Sequence, residues 1–281
     1  MHFGASKKQL SLHTGVYYVG PNANPAPVCT ISENLYHGPA AIWEHLKPNL
    51  NSLQEKHEVD TMHFFSDGPT TQYRQKLNFF LFTKELAQRK VTFGTWNFHE
   101  AGHGKGAPDG VGATVKRMAD NLVQRGKDCP DAVTMINLLE EAHCRIELHL
   151  VDVKDIDSAV TKSAKLHLPS VPGTMKIHQI LTTKHGCIQF RDLSCLCTKG
   201  EICLCFKPKT FTFPNHLQCA MEDDVPDPEP ERMPDPESES VPDPESESVP
   251  DPESESVPDP ESESVPDPES ESVPDGVLKS Y

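Results

Sequence analysis

The chain has no run of 18 apolar residues, and its mean hydropathy is −0.51. A helix that crosses a bilayer needs about 20 consecutive apolar residues, so no membrane partner is expected. The opening residues, Met1-His2-Phe3-Gly4-Ala5-Ser6-Lys7-Lys8, lack the apolar core of an export signal. That predicts a nuclear or cytoplasmic protein that is not secreted. Nine cysteines in such a chain point to reduced thiols or metal ligands before disulfides.

Basic residues are nearly missing from the C-terminal part. Residues 221–281 hold 22 of the chain's 42 Asp and Glu, against only Arg232 and Lys279 of its 26 Lys and Arg. The net charge of −16 therefore conceals a basic body of about +4 and a tail of −20. The tail repeats Val-Pro-Asp-Pro-Glu-Ser-Glu-Ser, intact from Val241, Val249, Val257 and Val265, with a one-letter variant from Met233. Such a composition buries too little apolar surface to offset chain entropy, which predicts a disordered, locally extended segment. Ser240, Ser248, Ser256, Ser264 and Ser272 each stand three residues before an acidic one, a pattern acidophilic kinases accept. The tail is thus a candidate surface for protein partners. The expected division is a core over 1–165, a small Cys-rich β appendage over 166–220 and an acidic tail over 221–281.

In the core the apolar spacing alternates between two periods. Strands are expected over 10–19, 27–31, 62–65, 91–98 and 145–151, from β-branched and aromatic runs. Helices are expected over 39–56, 75–89, 111–125 and 131–143, with another near 156–163. The first of these places Ile42, Trp43, Leu46, Leu50 and Leu53 at core-facing intervals. The order strand, strand, helix, strand, helix, strand, helix is that of a ribonuclease H-like α/β fold, a mixed sheet flanked by helices, without its first strand.

One stretch supports two chemistries. His99-Glu100-Ala101-Gly102-His103-Gly104-Lys105-Gly106-Ala107-Pro108-Asp109 fits H-E-x-x-H-x-x-G-x-x-D, in which His99, His103 and Asp109 would hold zinc and Glu100 would polarise a bound water. That metalloprotease reading needs both histidines on one face of a helix. The preceding run reads as a strand, however, and Gly102, Gly104 and Gly106 each cost a helix about 1 kcal/mol relative to alanine. The other reading is a glycine-rich loop leading from a strand into a helix that opens at Asp109. A plain polar loop without metal is the third.

The loop reading gains weight from a second motif. Phe65-Ser66-Asp67-Gly68-Pro69-Thr70-Thr71-Gln72-Tyr73-Arg74, followed by His103 to Gly112 and by Lys116-Arg117, resembles transposon-derived animal proteins. Their core resembles the ribonuclease H-like (DDE-type transposase or integrase) domain, and the similarity covers residues 8 to 210. The resemblance implies relict catalytic carboxylates at Asp67 and Asp109, which would bind magnesium or manganese for phosphodiester attack. It also implies nucleic-acid contacts at Lys105, Lys116 and Arg117. The family's first catalytic aspartate would precede Gln9, where no acidic residue stands. An inactive, N-terminally truncated remnant is therefore expected. Taken singly, Asp67 before Gly-Pro is an ordinary turn former, Asp109 an ordinary helix cap, and the three cations an ordinary solvated face.

The last motif is Cys195-Leu196-Cys197, five residues, then Cys203-Leu204-Cys205. In a strand, residues i and i+2 share a face. A turn near Gly200 would set Cys195 opposite Cys205 and Cys197 opposite Cys203, converging four sulfurs for a structural zinc ion. Cross-strand disulfides and a reduced thiol core are the rivals. His185, Cys187, His216 and Cys219 are substitute ligands, whereas Cys29, Cys129 and Cys144 show no partner pattern.

Overall fold

A hairpin comes first: β1 (Ser11–Tyr17) runs antiparallel to β2 (Ala26–Ser32), in register from Ser11 opposite Ser32 to Tyr17 opposite Ala26. The computed structural model describes residues 9–20, 24–100, 106–197 and 203–214; His103, Lys105, His216, Cys219 and the acidic tail lie outside them. Next come α1 (Pro39–Lys56), β3 (Thr61–Ser66), α2 (Lys76–Gln88), β4 (Phe93–Phe98), α3 (Ala107–Gln124) and α4 (Ala132–Glu141). Then β5 (Glu147–Leu150), α5 (Val153–Ala164), a single 3-10 turn, β6 (Gln179–Lys184), β7 (Cys187–Arg191) and β8 (Lys209–Thr212) complete the described elements.

The helices start where their sequences allow. Pro39 opens α1, where its fixed φ suits a helix and its missing N–H costs nothing. Asp131 accepts from the Thr134 N–H at 2.7 Å to cap α4, and Asp152 accepts from the Lys154 N–H at 2.8 Å to cap α5.

The fold is mixed α/β, as expected. Its strands form two mixed sheets, because among the described residues no strand bridges β1 to β3. The smaller has the order β1-β2-β5, with β2 and β5 parallel. The larger has the order β3-β4-β6-β7-β8, in which β3 and β4 run parallel and each later neighbour is antiparallel. The strands of the Cys-rich region thus extend the sheet that β3 and β4 begin.

Each sheet has its own core. The small sheet packs Cys29 and Ile31 against Val111 and Val115 of α3 and Met135 and Leu139 of α4. The larger core centres on Trp96, whose ring stacks on Phe64 at 5.0 Å and meets Trp43 edge-on at 5.6 Å. Both buried indoles satisfy their N–H groups: Trp96 donates to Ser66 Oγ and Trp43 to Asn78 Oδ1, each at 2.9 Å. Helix α1 places Trp43 and Leu50 in the larger core and Ala41 in a third, smaller cluster with Val151 and Ile156.

A neutral histidine pair lies between β1 and α1. His13 and His45 stack at 5.7 Å; the His45 ring nitrogens lie 2.8 Å from Thr30 Oγ1 and 3.4 Å from Ser11 Oγ. Burial, with the charge of His37, holds His13 down to about 4; burial, with His13 and His37, holds His45 down to about 3. An unfolded chain takes up these protons near the ordinary value of 6.5, whereas the folded chain does not. Their contribution to stability is therefore complete above that value and declines as pH falls through it towards 4. Chemical denaturation at stepped pH should show His45→Gln flattening this decline. In the same assay Trp96→Ala should lower stability by about 3–5 kcal/mol.

Candidate metal centre

The two Cys-Leu-Cys arms lie in the one connection between the antiparallel strands β7 and β8. The first follows β7, and the second leads towards β8. Their four sulfurs lie within 4.8 Å of one another, and among the described residues no other group of three or more His, Cys, Asp or Glu could hold a metal ion. Cys195 Sγ stands 3.1 Å from Cys197 Sγ and 3.5 Å from Cys203 Sγ, and Cys197 Sγ stands 3.8 Å from Cys205 Sγ. A tetrahedron with metal–sulfur bonds of about 2.3 Å has edges of about 3.8 Å, so the donor set fits a metal that prefers four thiolates.

The convergence matches the expectation, but the route to it does not. Neither arm is a β-strand, and the close cross-arm pairs are Cys195 with Cys203 and Cys197 with Cys205. The expected hairpin register would have paired Cys195 with Cys205. The arms are held by the sheet beneath rather than by each other. Gln179 of β6 grips Cys195 through both backbone groups: its Nε2 donates to the carbonyl at 2.8 Å, and its Oε1 accepts from the N–H at 3.2 Å. Arg191 of β7 donates from Nη2 to the Cys203 carbonyl at 2.8 Å and from Nη1 to Cys203 Sγ at 3.1 Å.

These contacts divide the thiols electrically. Burial raises Cys203, but hydrogen bonds from Arg191, from the Cys205 backbone N–H and from neighbouring thiols outweigh it and bring it down to about 6. Hydrogen bonds with Cys195, Cys203 and Cys205 push Cys197 up to about 12, and bonds with Cys195 and Cys203 raise Cys205. The Cys203 thiolate, beside a guanidinium, therefore forms ahead of those of Cys197 and Cys205. Of the other thiols, Cys29 is buried beneath the small sheet and is pushed up to about 12 by burial and by Cys144. Cys187 and Thr212 contact at 3.8 Å, and the His185 ring packs against Phe80 at 5.5 Å, so neither Cys187 nor His185 joins the four sulfurs.

The two carboxylates stand on different elements, Asp67 directly after β3 and Asp109 in α3. Asp67 is the residue after β3, near enough to Tyr73 that its charge, after burial, helps push that phenol up to about 12. Asp109 lies in the first turn of α3, where its Oδ2 accepts from the Gly106 N–H at 2.9 Å and satisfies one free donor at the helix start. The helix begins at Ala107, two residues before the expected opening at Asp109, because this cap and Pro108 set it there. Lys116 and Arg117 are exposed on α3.

His99 and Glu100 lie outside any helix. The His99 N–H donates to the Ser66 carbonyl at 2.8 Å, its ring stacks on Phe65, and Glu100 pairs with His178 at 2.8 Å. The metalloprotease reading needs these residues on a helix with His103, and at 99 and 100 no helix is present.

Arg74, inside the Asp67 motif, was not assigned a role from sequence. It is buried, donates to the Met175 carbonyl at 3.0 Å and the His99 carbonyl at 3.4 Å, and lies over the Phe98 ring. It ties together the segments that follow β3 and β4. Gly68 lies so close to its guanidinium that a Cβ there would collide with it.

Among the described residues no helix is long and apolar enough to cross a membrane. No curated protein and no solved structure matches the chain. A family described only as a domain of unknown function, DUF8701, matches residues 1–194, a span that stops one residue short of Cys195. That span covers both sheets up to β7, and the chain belongs to this family.

Proposed function

We propose that the chain is a transposon-derived, ribonuclease H-like protein that no longer cleaves nucleic acid and works as a binding module, with a zinc ion on Cys195, Cys197, Cys203 and Cys205. The observation that carries this reading is the contrast between its two candidate metal sites. Four sulfurs converge to within 4.8 Å, whereas Asp67 and Asp109 belong to no group of three metal ligands among the described residues. Two-metal phosphodiester chemistry needs several carboxylates around paired ions. A carboxylate already engaged by the Gly106 N–H, and another in a turn beside Tyr73, supply too little for that task.

The parallel β3–β4 pair supports the likeness to the transposase core, since it sets one motif after each strand. The zinc is structural in this reading. All four corners are protein sulfur, so no position remains open for a substrate or an activated water. It would fix the two arms over the larger sheet. The basic body and the tail of −20 are opposed in charge, so the tail competes with any phosphate backbone for the body.

Three outcomes are expected. The purified, reduced chain should carry one zinc ion by native mass spectrometry, and Cys203→Ser should lose it; a metal-free wild-type chain removes the zinc from this reading. With Mg²⁺ or Mn²⁺ it should neither cut nor join DNA. Metal-dependent cleavage abolished by Asp67→Asn would overturn the inactive reading and make another carboxylate, such as Glu33, the third ligand. Removing residues 221–281 should tighten DNA binding at low salt, with a steeper salt dependence. If affinity stays the same, the body is not a nucleic-acid binder and a tail-centred protein scaffold takes its place.

A further inference from the structure

We infer that Gln179 and Arg191 form the outer shell of the metal centre: two positioning residues that hold the Cys-Leu-Cys arms ready before the ion arrives. The inference rests on the four cysteines being a zinc site. The two residues stand directly opposite each other on neighbouring strands, in the register of β6 and β7. Each is almost wholly buried, Gln179 at 0% and Arg191 at 2% exposure. Each grips a different arm. Gln179 takes the backbone of Cys195 at both its N–H and its carbonyl, and Arg191 takes the carbonyl and the sulfur of Cys203. The sulfurs of the two residues so held stand 3.5 Å apart across the arms.

The division of labour follows from chemistry. An amide has one donor end and one acceptor end, so a single Gln can fix both backbone groups of one residue without adding charge. A guanidinium offers several donors in a rigid fork, so it can hold a carbonyl and a sulfur at once while its charge offsets part of the negative charge of four thiolates around one divalent ion. Gln179 is held in turn, because its Nε2 also donates to Asn97 Oδ1 at 2.8 Å, and Asn97 Nδ2 donates to the Phe64 carbonyl at 3.1 Å. The geometry of the sulfurs is thereby set from the centre of the larger sheet. Such outer partners commonly govern metal affinity by about 10–100-fold.

The test is a Co²⁺ titration of the full reduced chain, followed through the thiolate-to-cobalt charge-transfer band, with far-UV circular dichroism on every variant. Arg191→Gln and Gln179→Glu should each weaken Co²⁺ binding by about 10–100-fold and shift the band, since the sulfur environment changes with them. Arg191→Lys, which keeps the charge but not the fork, should recover only part of the affinity. A folded Arg191→Gln variant with the affinity and band of the wild type overturns the inference. Where Arg191→Gln fails to fold, Arg191→Lys and Gln179→Glu decide, and wild-type values in both overturn it. A wild-type chain with no charge-transfer band overturns the zinc reading and this inference together, whereas a normal wild-type band with indifferent variants overturns this inference alone.

Discussion

Strand β4 is buried on both faces, and the larger half of the molecule is organised around that constraint. All six of its residues are inaccessible, so each face must find partners for what it carries. One face offers Trp96 and Phe98 to an aromatic core, where area and ring contacts reward burial. The other carries Thr95 and Asn97, polar groups that are costly to bury unless bonded. Asn97 meets that cost by donating to Thr95 and to the β3 backbone and by accepting from Gln179. The polar face of the strand is thus the foundation on which the cysteine arms stand.

Most of the element order was legible, because long apolar periods survive any tertiary context. The α1 helix occupies the span its spacing predicts, and α2 begins and ends within a residue of expectation. Strand β4 starts at Phe93 rather than Val91, since Thr92 spends its N–H on Asp60 outside the ladder. The convergence of the four cysteines was legible from repeated C-x-C spacing, but their pairing was not. It depends on Gln179 and Arg191, which are remote in sequence from one another and from the second arm. A lone Gln opening an apolar strand was the only signal, and an isolated Arg at the end of the next strand gave none. Arg74 was equally silent, being one cation in a turn until the chain folds around it.

Asp109 shows why residue type at a motif position does not settle a role. A carboxylate at a helix N-terminus is favoured by the exposed N–H groups whether or not a metal is near. Its bond to Gly106 fully accounts for its place at the start of α3. Asp67 has a comparable structural reason, standing in the turn between β3 and α2. Neither position needs catalysis to explain its chemistry.

The parallel pairing of β2 with β5 joins Val28 to Glu147 across nearly the whole of the first sheet-forming half of the chain. The segment between contains α1, β3, α2, β4, α3 and α4, of which the first four are neighbours in sequence and can assemble with each other first. Closing the small sheet must therefore wait until this segment has collapsed and drawn the two ends together. Loop closure of that length costs entropy before any ladder bond repays it, which makes parallel, non-local pairing slow. On a ribosome β2 would emerge long before its partner. Until then the edge of β2 that later takes β5 would stay unpaired, while its Cys29 and Ile31 face already has α3 and α4 for cover.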